Sequence, residues 1–98
     1  MVRGTTPTIK FKFSVVDPND IVVAFLSVKQ KNNVLEKDIS DAVIGEDYIS
    51  WDLTQAETLS FAKGAVNIEC RYRTTSGKAY KTKVLEEGVE DVQKDGEI

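Results

Sequence analysis

Cys70 is the only thiol in the chain, and there is no histidine to activate it. Without an imidazole, neither Ser-His-Asp nor Cys-His catalysis has its base, and the commonest metal ligand is missing. Cys70 also falls on the apolar parity of Val66, Ile68 and Tyr72. That predicts a buried thiol packing as a small hydrophobe, not a nucleophile. Oxygen-bearing side chains gather at Asp17-Pro18-Asn19-Asp20. The segment lacks the distal glutamate of a calcium loop and reads as a turn, with proline fixing φ and Asp and Asn satisfying local backbone groups. Six glycines are scattered singly, so no phosphate-cradling loop appears. Asp52 and Glu69 point outward from their strands, and two carboxylates on wet faces read as solvated rather than as a glycosidase pair. The expectation is a non-enzymatic domain with no catalytic residue, cofactor or metal.

The other chemistry-bearing feature is basic. Arg71, Arg73, Lys78, Lys81 and Lys83 fall on two neighbouring strands joined by a hairpin, where they form a stripe. Arg71, Arg73, Lys81 and Lys83 are the candidate interface residues. One reading pairs them across strands with Glu36, Asp38 or Asp52 on an exposed face. A second is a polar interface with an acidic protein partner. A third, nucleic acid, is disfavoured. Sixteen acids face thirteen bases, a net charge of −3, so no global positive field holds nucleic acid or an anionic membrane. Single-strand binding also wants exposed aromatics among the cations. Only Tyr72 and Tyr80 qualify by position, and Tyr72 shares the apolar parity.

These residues must be held by strands. Ninety-eight residues, 41% hydrophobic and 30% charged, suit one folded domain. Ile9, Phe11 and Phe13 alternate with Lys10 and Lys12, a half-buried strand whose lysines suit a sheet edge. After the turn at Asp17–Asp20, the run from Ile21 to Lys31 is apolar on both parities in its first half, as in a central strand covered on both faces. Asn32 and Asn33 tolerate the left-handed backbone of a hairpin, which returns through Val34–Ile39. Ala42-Val43-Ile44 is a short strand. Ile49, Trp51 and Leu53 point inward from another, with Ser50 and Asp52 outward.

Thr54-Gln55-Ala56-Glu57 has the form of a capping box and predicts one or two helical turns from Gln55 to Ala62, stopped at Lys63-Gly64. Ala65–Arg73 alternates most cleanly of all. Thr74–Gly77 turns it into a partner strand running from Lys78 to about Val89. The ends, residues 1–7 and 90–98, lack strand periodicity and are expected to be loose. About seven strands at this spacing, with a short helical turn near 55–62, predict an all-β, antiparallel, immunoglobulin-like β-sandwich without the paired cysteines of antibody domains.

A lone cysteine offers no disulfide framework. The longest dense apolar run, Ile21–Leu26, is far short of the ~20 residues that span a bilayer. Met1–Pro7 has no apolar stretch behind Arg3, so it does not read as a signal peptide. The expectation is a protein made and folded in a reducing cytosol, with no membrane partner.

Three segments together carry a resemblance. They are Arg3-Gly4-Thr5-Thr6-Pro7-Thr8 ahead of an alternating strand, Leu53-Thr54-Gln55-Ala56-Glu57-Thr58-Leu59 with Phe61 behind it, and Val66-Asn67-Ile68-Glu69-Cys70-Arg71 with the Ser76-Gly77-Lys78-Ala79 turn. The chain resembles short prophage-encoded proteins found among the virion genes of phages of Gram-positive bacteria. More loosely, it is similar to the β-sandwich domain at the start of phage baseplate upper proteins. The resemblance implies a structural or accessory role in a tail or baseplate region, acting through protein–protein contacts as a homo-oligomer or with other virion proteins, and a place in the virion. It supplies no site residues. The alternative is a small carbohydrate- or ligand-binding β-sandwich module.

Overall fold

The computed structural model describes all residues from Met1 to Ile98. Two antiparallel sheets face each other. One is three-stranded, in the order β1 (Thr8–Lys12), β5 (Tyr48–Asp52), β4 (Ala42–Ile44). The other runs β3 (Asn33–Asp38), β2 (Ile21–Gln30), β6 (Gly64–Thr74), and β6 then pairs with both β7 (Ala79–Lys81) and β8 (Leu85–Val89). With β7 and β8 taken as one interrupted strand, there are seven. Their order matches strands B-E-D and C′-C-F-G of an immunoglobulin-type sandwich, so the expected fold class holds. No helix is long and apolar enough to cross a membrane.

The core comes from the inward parity of both sheets. Trp51, Leu26, Ile49, Val28 and Cys70 are completely buried, with Ile9, Phe11, Val66 and Ile68 packed around them. Trp51 meets Phe11 edge to face at 6.2 Å. Its indole Nε1–H donates to the Asp38 carbonyl at 2.8 Å, so its one polar atom ties β5 to the opposite sheet. β1 lies at a sheet edge, as its lysines anticipate, and Lys10 sits over the Tyr48 ring.

Several expectations change. The start of β2 is covered on one face only. Ile21 pairs with Thr74 but Val23 with Arg73, so Val22 is an extra residue in a β-bulge. The bulge reverses the parity. Ile21 and Ala24 are both buried, while Val23 and Phe25 face outward. Apolar residues on both parities thus record a bulge, not two-sided cover.

The long last strand is also bulged. Thr82 N–H donates to the Cys70 carbonyl, and Leu85 pairs with Ile68. Lys83 and Val84 therefore oppose Glu69 alone. In the hairpin of β2 and β3, Lys31, with φ of 53°, takes the left-handed position anticipated for an asparagine.

The ends are pinned rather than loose. Val2 bridges Glu90 in parallel, and Arg3 N–H donates to the Glu90 carbonyl. Buried Thr58 accepts from Gly4 N–H and donates to the Thr5 carbonyl. The Gln55 amide exchanges two hydrogen bonds with the backbone of Ile98, at 3.0 and 2.7 Å. The anchor for all of this is the short helix α1 (Gln55–Leu59), whose Thr54–Glu57 capping box forms as expected. It ends three residues before the anticipated Ala62.

Candidate functional site

β6 is the spine of the five-stranded sheet. Its inward residues Val66, Ile68, Cys70 and Tyr72 enter the core, so Asn67, Glu69, Arg71 and Arg73 line the outer face. Register fixes their neighbours. Asp38, Phe25, Arg71 and Lys81 form one row across four strands, and Val23, Arg73 and Ala79 form the next. Between these rows lies a shallow depression of about 270 Å³, lined by Val23, Phe25, Arg71, Tyr72, Arg73 and Ala79. Phe25 is 39% exposed within it.

Three of the four residues singled out from sequence thus meet on one patch: Arg71, Arg73 and Lys81. Lys83 does not join them, because the bulge sets it beyond the row opposite Glu69. The cross-strand pairing reading holds only for Lys81, whose ammonium lies 3.4 Å from Glu69. Neither arginine forms an ion pair. Asp52, offered as a partner, is on the other sheet, where it accepts from the Thr8 hydroxyl. Asp38 is close in register but committed elsewhere. Hydrogen bonds from the Ser40 hydroxyl and backbone N–H hold its carboxyl below the usual range.

Farther along the same face the sign reverses. Glu36 and Glu69 flank Ser27 in the row beyond Phe25, and Glu86 follows opposite Asn67. Lys29 lies at this acidic end, as Asp38 does at the basic one, against the general gradient. Glu36 and Glu86 have no basic partner within 4.0 Å.

Beneath the depression, on the inner side of the sheet, lies an aromatic cluster. Tyr72 is packed edge to face on Phe13 at 5.1 Å and stacked on Tyr80 at 5.4 Å. Burial pushes its phenol above the ordinary value, with Cys70 and Tyr80 adding to the effect. The Cys70 thiol is pushed up to about 12 by burial and by neighbouring Glu69. At that value it is no nucleophile at neutral pH.

The other chemistry-bearing residues stay apart. Asp52 and Glu69 face outward from different sheets, so they form no carboxylate pair. Asp17 caps a 3-10 turn over Pro18–Asp20, accepting from Asn19 N–H at 3.0 Å. Sequence reasoning missed Val23, Phe25 and Ala79. The signal for Val23 and Phe25 was present in the two-parity apolar run at Ile21–Leu26, whose outer half surfaces here. Compared with known proteins, the chain matches no family model, no curated protein and no solved structure.

Proposed function

We propose that this domain is a non-enzymatic binding module that works by protein–protein contact, as a structural or accessory component of a phage particle in its tail or baseplate region. The observation that supports contact is the outer face of β2, β6 and β7. There, two guanidinium groups without carboxylate partners border exposed Phe25 and half-buried Val23. Arginine beside an aromatic is the composition of interface centres rather than of ordinary solvated surface. The flatness of the patch suits a protein surface better than a small ligand. The phage setting rests on the sequence resemblance alone.

The test is a photo-crosslinking residue at Ala79, inside the patch, and another at Lys12, on the edge of the opposite sheet, in cells assembling the particle. A defined protein crosslinked from position 79 and not from position 12 is the expected result. Equal crosslinking from both positions, or none from either, overturns the contact reading. Crosslinks only to proteins outside the particle overturn the phage assignment.

A further inference from the structure

We infer that the outer face of the five-stranded sheet pairs with the same face of a second copy of this chain. This pairing rests on the contact reading proposed above. A two-fold interface uses one patch twice, so the patch must be complementary to itself. This face meets that requirement along its strands. Its basic end carries Arg71 and Arg73, both unpaired, with Lys81 beside them. Its acidic end carries Glu36 and Glu86, also unpaired, with Glu69 between.

Turning one copy end over end lays β6 on β6 and the β7–β8 strand on its own copy, so Arg71, Arg73 and Lys81 of each face meet Glu69 and Glu86 of the other. Arg71 and Glu69 are two positions apart on β6, about 6.6 Å along the strand. Two copies of β6 crossing near their midpoint therefore set the Arg71 of each within reach of the Glu69 of the other. Phe25 then leaves water against the partner's sheet. A separate acidic protein would satisfy only the basic half and leave Glu36 and Glu86 facing it with like charge. Complementarity of the whole face therefore favours a second copy.

Size sets the strength. Four strands about 4.8 Å apart, over seven residues at about 3.3 Å, present on the order of 400 Å² per copy. That falls below the roughly 800 Å² per partner of a standard stable interface, so the dimer is weak and salt-sensitive.

Sedimentation velocity of the purified chain from about 10 μM to about 1 mM reads the dimer directly. A concentration-dependent shift to dimer is expected, weakened about tenfold or more by raising the salt from about 0.1 to 0.5 M. R71E/R73E and E69K/E86K, each checked for native circular dichroism, are expected to be monomeric alone. Mixed in equal amounts, they are expected to form a heterodimer. All four side chains lie on the outer face of the sheet, so the substitutions leave the core untouched. A wild-type chain that is strictly monomeric at about 1 mM overturns the pairing, as does a dimer indifferent to salt and to both double variants. A monomer that still gives patch-confined crosslinks to another virion protein overturns the pairing and leaves the contact reading standing. A dimer broken by both double variants, with patch crosslinks to this chain alone and to no other virion protein, keeps the pairing and overturns the place in the particle.

Discussion

The guanidinium of Arg3 donates from Nε to the backbone carbonyl of Phe61 at 2.8 Å, fifty-eight residues away, and from Nη2 to the carbonyl of Leu59 at 3.3 Å. Asn33 Nδ2 reaches the Ser60 carbonyl, and Gln30 exchanges hydrogen bonds with both backbone groups of Ala62. The four carbonyls from Leu59 to Ala62, at the exit of α1, are thus each met by a side chain. A five-residue helix cannot stand alone, and its exit would otherwise leave these groups unsatisfied. Arg3→Ala is expected to cost about 2 kcal/mol in urea unfolding, the scale for charge-assisted hydrogen bonds to partly buried acceptors. Arg3→Lys should recover less than half of that, because an ammonium cannot fork between two carbonyls. Hydrogen exchange near residues 59–63 should accelerate with it. The exposed pairing of Arg3 with Asp91 contributes little.

Lys37 and Glu57 make the least exposed ion pair in the chain, 3.0 Å apart, and Glu57 also closes the capping box on Thr54. Burial raises the Glu57 carboxyl, but hydrogen bonds from Thr54 and the charge and hydrogen bond of Lys37 outweigh it and leave the group below its ordinary range. A depressed carboxyl favours the folded state above its unfolded pKa, and that contribution is lost as pH falls through the folded value. Urea titrations at pH 7 and pH 3 should therefore show a smaller difference for Glu57→Gln than for wild type. An equal difference would remove Glu57 from the acid response. Thr54→Ala should cost about 1 kcal/mol at either pH through loss of the cap.

Cys70 offers a chemical clock for unfolding. Its sulfur is fully buried and its thiol is pushed up to about 12. At pH 8 a disulfide reagent should label the native chain only through opening, and the denatured chain at once. Above the ordinary thiol value the unfolded state ionises while the folded state stays protonated, so stability falls as pH rises toward about 12. Cys70→Ala should flatten that alkaline slope. Fast labelling of the native chain would mean that β6 is not the interior strand described.

Most of the scaffold was legible because period-two patterning records which face of a strand is wet. Ile9–Phe13, Tyr48–Leu53 and Ala65–Arg73 each carry one clean alternation, and the Thr54–Glu57 box is a local hydrogen-bond code. Failure came where alternation is interrupted. Val22 and the Lys83-Val84 pair are bulge residues on the two partners of β6, and each reverses the parity of the strand residues after it. A bulge is visible only once the partner strand is known. The same blindness hid half of the candidate site, since Phe25 reads as core until Val22 is seen to be extra. The pinned ends were missed for a related reason. Their hydrogen bonds to Thr58, Leu59 and Phe61 are long-range and leave no local pattern.

The second bulge can be tested by removing it. Leu85, Glu87 and Val89 pair with Ile68, Val66 and Gly64, and Val89 is buried. Deleting Val84 gives β7 and β8 an uninterrupted register with β6. Lys83 then faces Glu69 alone while Leu85 stays opposite Ile68 and Val89 opposite Gly64, so Val89 keeps its buried place and Glu86 its outer one. The deletion variant is therefore expected to keep cooperative unfolding, read by near-ultraviolet circular dichroism of Trp51. Thr82→Val is the milder probe of the same junction. It keeps the shape but removes the Oγ1 that accepts from Cys70 N–H at 2.9 Å, and should cost about 1–2 kcal/mol with the fold retained. Loss of cooperative unfolding in the Val84 deletion would show that β8 needs the extra residue to find its register.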